Sequence, residues 1–138
     1  MARARDAMIA DPPTLEPAAT AQQAGELFDR PEVRAVLVCD DGLLSGVVTR
    51  KTLVREIVAR GRDPRSTALH EIAEPPAHTV DADTDLDDAF RFLEEHDLDR
   101  VPVVEGGRLV GVLSRAVVQR RLAEDEPRAD DDEGFLVV

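Results

Sequence analysis

The sequence predicts an α+β (mixed α/β) fold of two tandem repeats, each running strand, helix, strand, strand, helix, related by a pseudo-two-fold axis. Three observations predict it. Arg100 to Val104 and Leu109 to Leu113 are short apolar runs joined by Glu105-Gly106-Gly107, whose glycines supply the positive φ of a tight hairpin. The same object stands 65 positions earlier, in Arg34 to Arg50, without a gap. Val36/Val101, Val38/Val103, Gly42/Gly107, Leu44/Leu109, Gly46/Gly111, Val47/Val112 and Arg50/Arg115 are identical there, so the chain is an internal duplication. Each hairpin is also flanked by matched helical patterns. A repeat of about 55 residues buries too little surface to stand alone, so the halves are expected to share a core.

The elements follow in order. Residues 1–13 form a short arm ending in Asp11-Pro12-Pro13, matched by Glu74-Pro75-Pro76 in the second half. These prolines force extended backbone ahead of the short strands Thr14-Leu15 and Thr79-Val80. In the helices that follow, Leu86, Ala89, Phe90 and Leu93 fall at i, i+3, i+4, i+7, and Ala21, Ala24, Gly25 and Phe28 take the same slots. Asp83 or Thr84 is the expected N-cap, with Asp85, Asp87 and Asp88 in the first turn, where the helix dipole favours negative charge. After the hairpins, Leu53, Val54, Ile57 and Val58 give one closing helix an apolar face, and Val117, Val118 and Leu122 give the other. The expected boundaries are 5–62 for the first repeat, 63–68 for a linker, 69–124 for the second repeat and 125–138 for an acidic tail of disordered composition. That tail ends in the apolar tip Phe135 to Val138.

Composition excludes several function classes. A net charge of −12 disfavours nucleic acid and anionic membranes, which attract positive surfaces. No apolar run is long enough to cross a bilayer, and the N-terminus lacks the apolar stretch of a signal peptide. Cys39, the single cysteine, cannot form an internal disulfide and reads as packing, so the expected location is cytoplasmic. His70, His78 and His96 show no metal-ligand spacing with one another or with Cys39. No nucleophile–base order, Gly-rich phosphate loop or paired-carboxylate motif is legible, so no enzyme is expected.

The junctions between hairpin and closing helix carry the remaining chemistry. In Gly46-Val47-Val48-Thr49-Arg50-Lys51-Thr52 and Gly111-Val112-Leu113-Ser114-Arg115-Ala116-Val117, Thr49 and Ser114 stand where an N-cap belongs. One reading is a cap and nothing more. The other is that the helix N–H groups, with Arg50 or Arg115 beside them, face an anion.

The element order, the period and the wording of Leu98-Asp99-Arg100-Val101-Pro102-Val103-Val104, followed by Leu109 to Arg115, resemble the CBS domain, named after cystathionine β-synthase. Two in tandem look like a Bateman module, and Arg5-Asp6-Ala7-Met8-Ile9-Ala10-Asp11-Pro12 is similar to the family's entry segment. The resemblance covers residues 5–124. It implies an adenosyl or nucleotide ligand (AMP, ADP, ATP or S-adenosylmethionine) in a cleft between the repeats, each cleft joining the Ser/Thr junction of one repeat to the entry segment and middle strand of the other. On that pattern Thr49, Arg50 and Thr52 are completed by Ile72, Ala73, Glu74 and Val101, and Ser114 and Arg115 by Ile9, Ala10, Asp11 and Val36. The family's ribose-binding Asp is replaced by Thr52 and Val117, which weakens nucleotide binding, most of all at the Ser114 cleft. Glu74 and Asp11 are acidic where a phosphate would need help. The resemblance thus implies a stand-alone regulatory module signalling to an unidentified partner protein, and a homodimer through the helices bearing Leu53, Ile57 and Leu122. The alternative is a dimerisation or interaction module with vestigial clefts.

Overall fold

The computed structural model describes residues 2–125, so the expectation for the tail beyond Asp125 lies outside the described residues. The chain runs α1 (Ala4–Ala7), β1 (Ile9–Ala10), β2 (Thr14–Leu15), α2 (Ala21–Leu27), β3 (Ala35–Asp40), β4 (Leu43–Thr49) and α3 (Arg50–Leu53). A π turn at Val54–Val58 continues α3, and a 3-10 turn at Leu69–Glu71 opens the second half. There follow β5 (Val80–Asp81), α4 (Leu86–Glu95), β6 (Arg100–Glu105), β7 (Arg108–Ser114) and α5 (Arg115–Asp125). This is the expected mixed α/β pair of repeats.

The duplication is exact down to hydrogen-bond register. Val36 opposes Val48 as Val101 opposes Leu113, and Val38 opposes Gly46 as Val103 opposes Gly111. Each hairpin shifts register at the same place, between Val38 and Cys39 and between Val103 and Val104. The strand order is β2-β3-β4-β7-β6-β5, with the two hairpins meeting only at their tips, where Leu43 opposes Arg108. Leu44 N–H donates to Gly107 O at 3.1 Å and Leu109 N–H to Gly42 O at 3.0 Å, which places the pseudo-two-fold axis there.

The entry segments cross over. β1, from the first half, pairs antiparallel with β7 of the second, Ile9 opposite Val112 and Ala10 opposite Gly111. In return Glu74 exchanges both main-chain bonds with Val47 of β4, at 2.8 and 2.9 Å. Burial follows the crossing. Ala4 and Ala7 lie in one core with Leu86, Leu93, Val101 and Leu113, whereas Leu69 and Ile72 lie in the other with Phe28, Val36, Val48 and Ile57. Each core is therefore closed by an apolar segment of the other repeat.

Gly46 and Gly111 make the crossing possible. A Cβ on Gly46 would stand 2.8 Å from Ala73 Cβ, and one on Gly111 would stand 2.6 Å from Met8 Sδ and 2.8 Å from Ile9 O. Neither glycine has positive φ; both are needed because another backbone lies on top of them.

Three local expectations are corrected. The residue ahead of α4 is Asp85, without a side-chain cap: Asp83 is drawn to Arg5, and Leu86 N–H instead donates to Ala2 O at 3.0 Å. The short second-half strand is Val80–Asp81, one residue later than its counterpart suggests. The stripe of Leu53, Val54, Ile57 and Val58 is split, because four such positions span a wider arc than one core contact covers. Ile57 is buried and Leu53 packs against the core, while Val54 and Val58 face out at 56% and 72% exposure.

Candidate functional site

Thr49 ends β4 in extended conformation, which is the backbone an N-cap requires. Its Oγ1 accepts from Thr52 N–H at 3.2 Å, and its own N–H donates to Thr52 Oγ1 at 3.0 Å. The two hydroxyls are 3.1 Å apart. This reciprocal capping box uses both side chains at once. Thr52 is buried, with 1% exposure, so the hydroxyl at the family's ribose position faces the helix start.

Arg50 turns away from the helix start. Its guanidinium donates to Phe28 O at 2.8 Å and Arg30 O at 3.0 Å and lies 5.0 Å over the Phe28 ring, closing the carbonyl end of α2. A guanidinium that the sequence did not single out, Arg55, pairs with the Glu74 carboxylate. Since Glu74 is bonded to Val47, two residues before Thr49, this ion pair ties the crossing segment to the helix that Thr49 begins.

The structure thus brings Thr49, Thr52, Ala73 and Glu74 together, with Arg55 added. Ile72 immediately precedes Ala73 in sequence but is sealed in the first core at 5% exposure. At the second junction Ile9 and Ala10 lie along Val112 and Gly111, just ahead of Ser114. Arg115 donates its N–H to Asp99 O at 2.8 Å, and its guanidinium stands 3.7 Å from Asp97. Val36 and Val101 join neither junction. Their side chains, at 0% and 1% exposure, point into the helix-covered cores of their own hairpins, and strand alternation leaves Leu37 and Pro102 on the opposite face.

Two open grooves lie elsewhere on the described residues, and neither is lined by Thr49 or Ser114. A groove of about 510 Å³ runs between α2 and the π turn, lined by Ala21, Gly25, Leu53, Ile57 and Val58 among others. Another of about 580 Å³ lies near the hairpin tips and collects Asp11, Glu16, Asp40 and Asp41 beside Cys39, whose thiol is pushed up by burial. Among the described residues no helix is long and apolar enough to cross a membrane.

The CBS-domain family model matches residues 4–59 and again residues 69–124. The chain belongs to the CBS-domain family. The CBS pair is 32% identical over 125 residues to Hypoxic response protein 1 of Mycobacterium tuberculosis, covering 90% of this chain and 87% of that one. A crystal structure of Hypoxic Response Protein I with two coordinated zinc ions superposes with a TM-score of 0.75 at 30% identity, over 88% of this chain and 99% of that one. CBSX2 in complex with AMP gives 0.71 at 26% identity, over 88% and 96%. The cytosolic domain of the Mg2+ channel MgtE in complex with ATP gives 0.70 at 27% identity, over 86% of this chain and 48% of that one.

Proposed function

We propose that this CBS pair is a regulatory module that takes an adenosyl-type ligand at the Thr49 junction and signals to a partner protein. The observation that carries the reading is the crossing of the entry segments. Ala73 and Glu74 of the second repeat lie on β4 of the first beside Thr49, so a ligand there touches both halves and biases their relative placement. Similar CBS pairs crystallised with AMP and with ATP support the ligand class, and ADP and S-adenosylmethionine belong to the same chemistry. Zinc is not carried over from the related structure, since among the described residues no three of His, Cys, Asp and Glu are placed to hold a metal. At the Ser114 junction Val117 offers no ribose acceptor, so the Thr49 junction is the better site.

Calorimetry with AMP, ADP, ATP and S-adenosylmethionine tests the reading on the wild type, Thr52→Asp and Val117→Asp. An aspartate at position 52 keeps an acceptor for Thr49 N–H and adds a second oxygen for ribose hydroxyls. The expected outcome is weak wild-type binding and a gain of about 2 kcal/mol in Thr52→Asp. Absence of binding by all three proteins would remove the sensing reading.

The exposed pair Val54 and Val58, beside the groove between α2 and the π turn, favours a second reading: an interface helix joining two copies into a homodimer. Val58→Glu should then lower the mass seen by light scattering at tens of micromolar from dimer to monomer. A monomeric wild type would end that reading.

A further inference from the structure

The charge beside the first junction is set by the protein's own chain. Glu74 is held main chain to main chain on Val47, and Ala73 Cβ sits where a Cβ on Gly46 would come within 2.8 Å. The carboxylate therefore hangs from a fixed point, and it reaches Arg55, one turn beyond Thr52. Of the junction's arginines, Arg50 is bound to Phe28 O and Arg30 O. The Thr49 and Thr52 hydroxyls bond each other. A phosphate arriving here would find Arg50 turned to the α2 carbonyls, one of the two hydroxyl protons spent between Thr49 and Thr52, and a carboxylate in front of the remaining guanidinium.

We propose that Glu74 is a built-in carboxylate that competes with phosphate for Arg55, so that the Thr49 junction selects an adenosyl compound without phosphate over a phosphorylated nucleotide. This rests on the reading that the junction takes an adenosyl ligand. The Arg55–Glu74 pair is half-exposed, with side chains at 52% and 49%, so the discrimination is modest. A phosphate must displace Glu74 and then sit near it. An uncharged nucleoside leaves the pair in place.

The test is calorimetry with adenosine and AMP on the full chain, as wild type, Glu74→Gln and Glu74→Gln/Arg55→Gln. Wild type should bind adenosine more tightly than AMP, and the preference should shrink as salt is added. Glu74→Gln keeps the main-chain bonds to Val47 and should improve AMP relative to adenosine by roughly three- to tenfold. The added Arg55→Gln change should cancel that improvement, because the freed guanidinium is what the phosphate gains. If adenosine binds but Glu74→Gln leaves the AMP-to-adenosine ratio as it was, the competition is overturned and the sensing reading survives. If neither compound binds any variant, both fall together.

Discussion

At the scale of single residues, the two junction glycines say most about how this chain works. Gly46 and Gly111 are identical across the duplication, and hydropathy alone assigns them no task. Their neighbours explain them: Ala73 lies on one, Met8 and Ile9 on the other, each arriving from the opposite repeat. A methyl group on Gly46 meets a methyl group that cannot rotate away, so Gly46→Ala should cost about 1–3 kcal/mol in urea unfolding. The double variant Gly46→Ala/Ala73→Gly should recover most of that loss, since the colliding Cβ is gone. Additive losses would mean that the contact is not what constrains position 46. Thr52 shows the same logic for chemistry. At a position where the family keeps a carboxylate, its hydroxyl is turned inward to cap Thr49, which no spacing rule reveals.

At the scale of elements, the short α1 depends on charge as well as on Ala4 and Ala7. Arg5 donates to Asp83 at 2.6 Å and to Glu105 at 2.7 Å, and Arg3 stands 3.5 Å from Asp83. The bonded Arg5 guanidinium holds the Asp83 carboxyl below its ordinary range. In the second half Glu71 is held low by the Ala68 N–H it accepts and by Arg62. For such groups the folded state binds fewer protons than the unfolded one. Their contribution is therefore complete above the unfolded carboxyl pKa, about 4, and is lost as pH falls through the lower folded values. Hydrogen exchange should show Ala4 and Met8 amides losing protection below about pH 4, ahead of the β3–β4 hairpin. Asp83→Asn should show weaker protection at neutral pH and a flatter acid response. Unaltered pH dependence in that variant would assign the acid effect elsewhere.

At the scale of the whole molecule, the crossing makes the repeats interdependent. A fragment of residues 1–62 lacks Leu69 and Ile72, both buried in its core, and a fragment of residues 63–138 lacks Ala4 and Ala7. Separately expressed, the two should show little cooperative unfolding by circular dichroism; mixed, they should regain it. Two fragments that each melt cooperatively alone would show that the sequence repeats are also the folding units. On the proposed reading, the same interdependence would give a ligand at one junction a grip on both halves.

Duplication, hairpins, helix pairing and the family itself were legible in the chain because they depend on local patterns. Glycine-bounded apolar strands and 3.6-residue periodicity appear twice at one offset and need no tertiary information. The two places where the Ser/Thr junctions stand were legible for the same reason. Tertiary structure alone decided what those junctions offer. Arg50 turns to the carbonyls closing α2, Arg55 meets Glu74, and Val36 and Val101 disappear into the cores. Each of these outcomes joins residues from separate elements, with Arg55 and Glu74 19 positions apart and from different repeats. The physical reason is that a strand's alternation says which residues share a face but not what covers it. The covering segment comes from the other repeat, as the family resemblance implied, so the sequence by itself located the junctions while packing determined which side chains meet there.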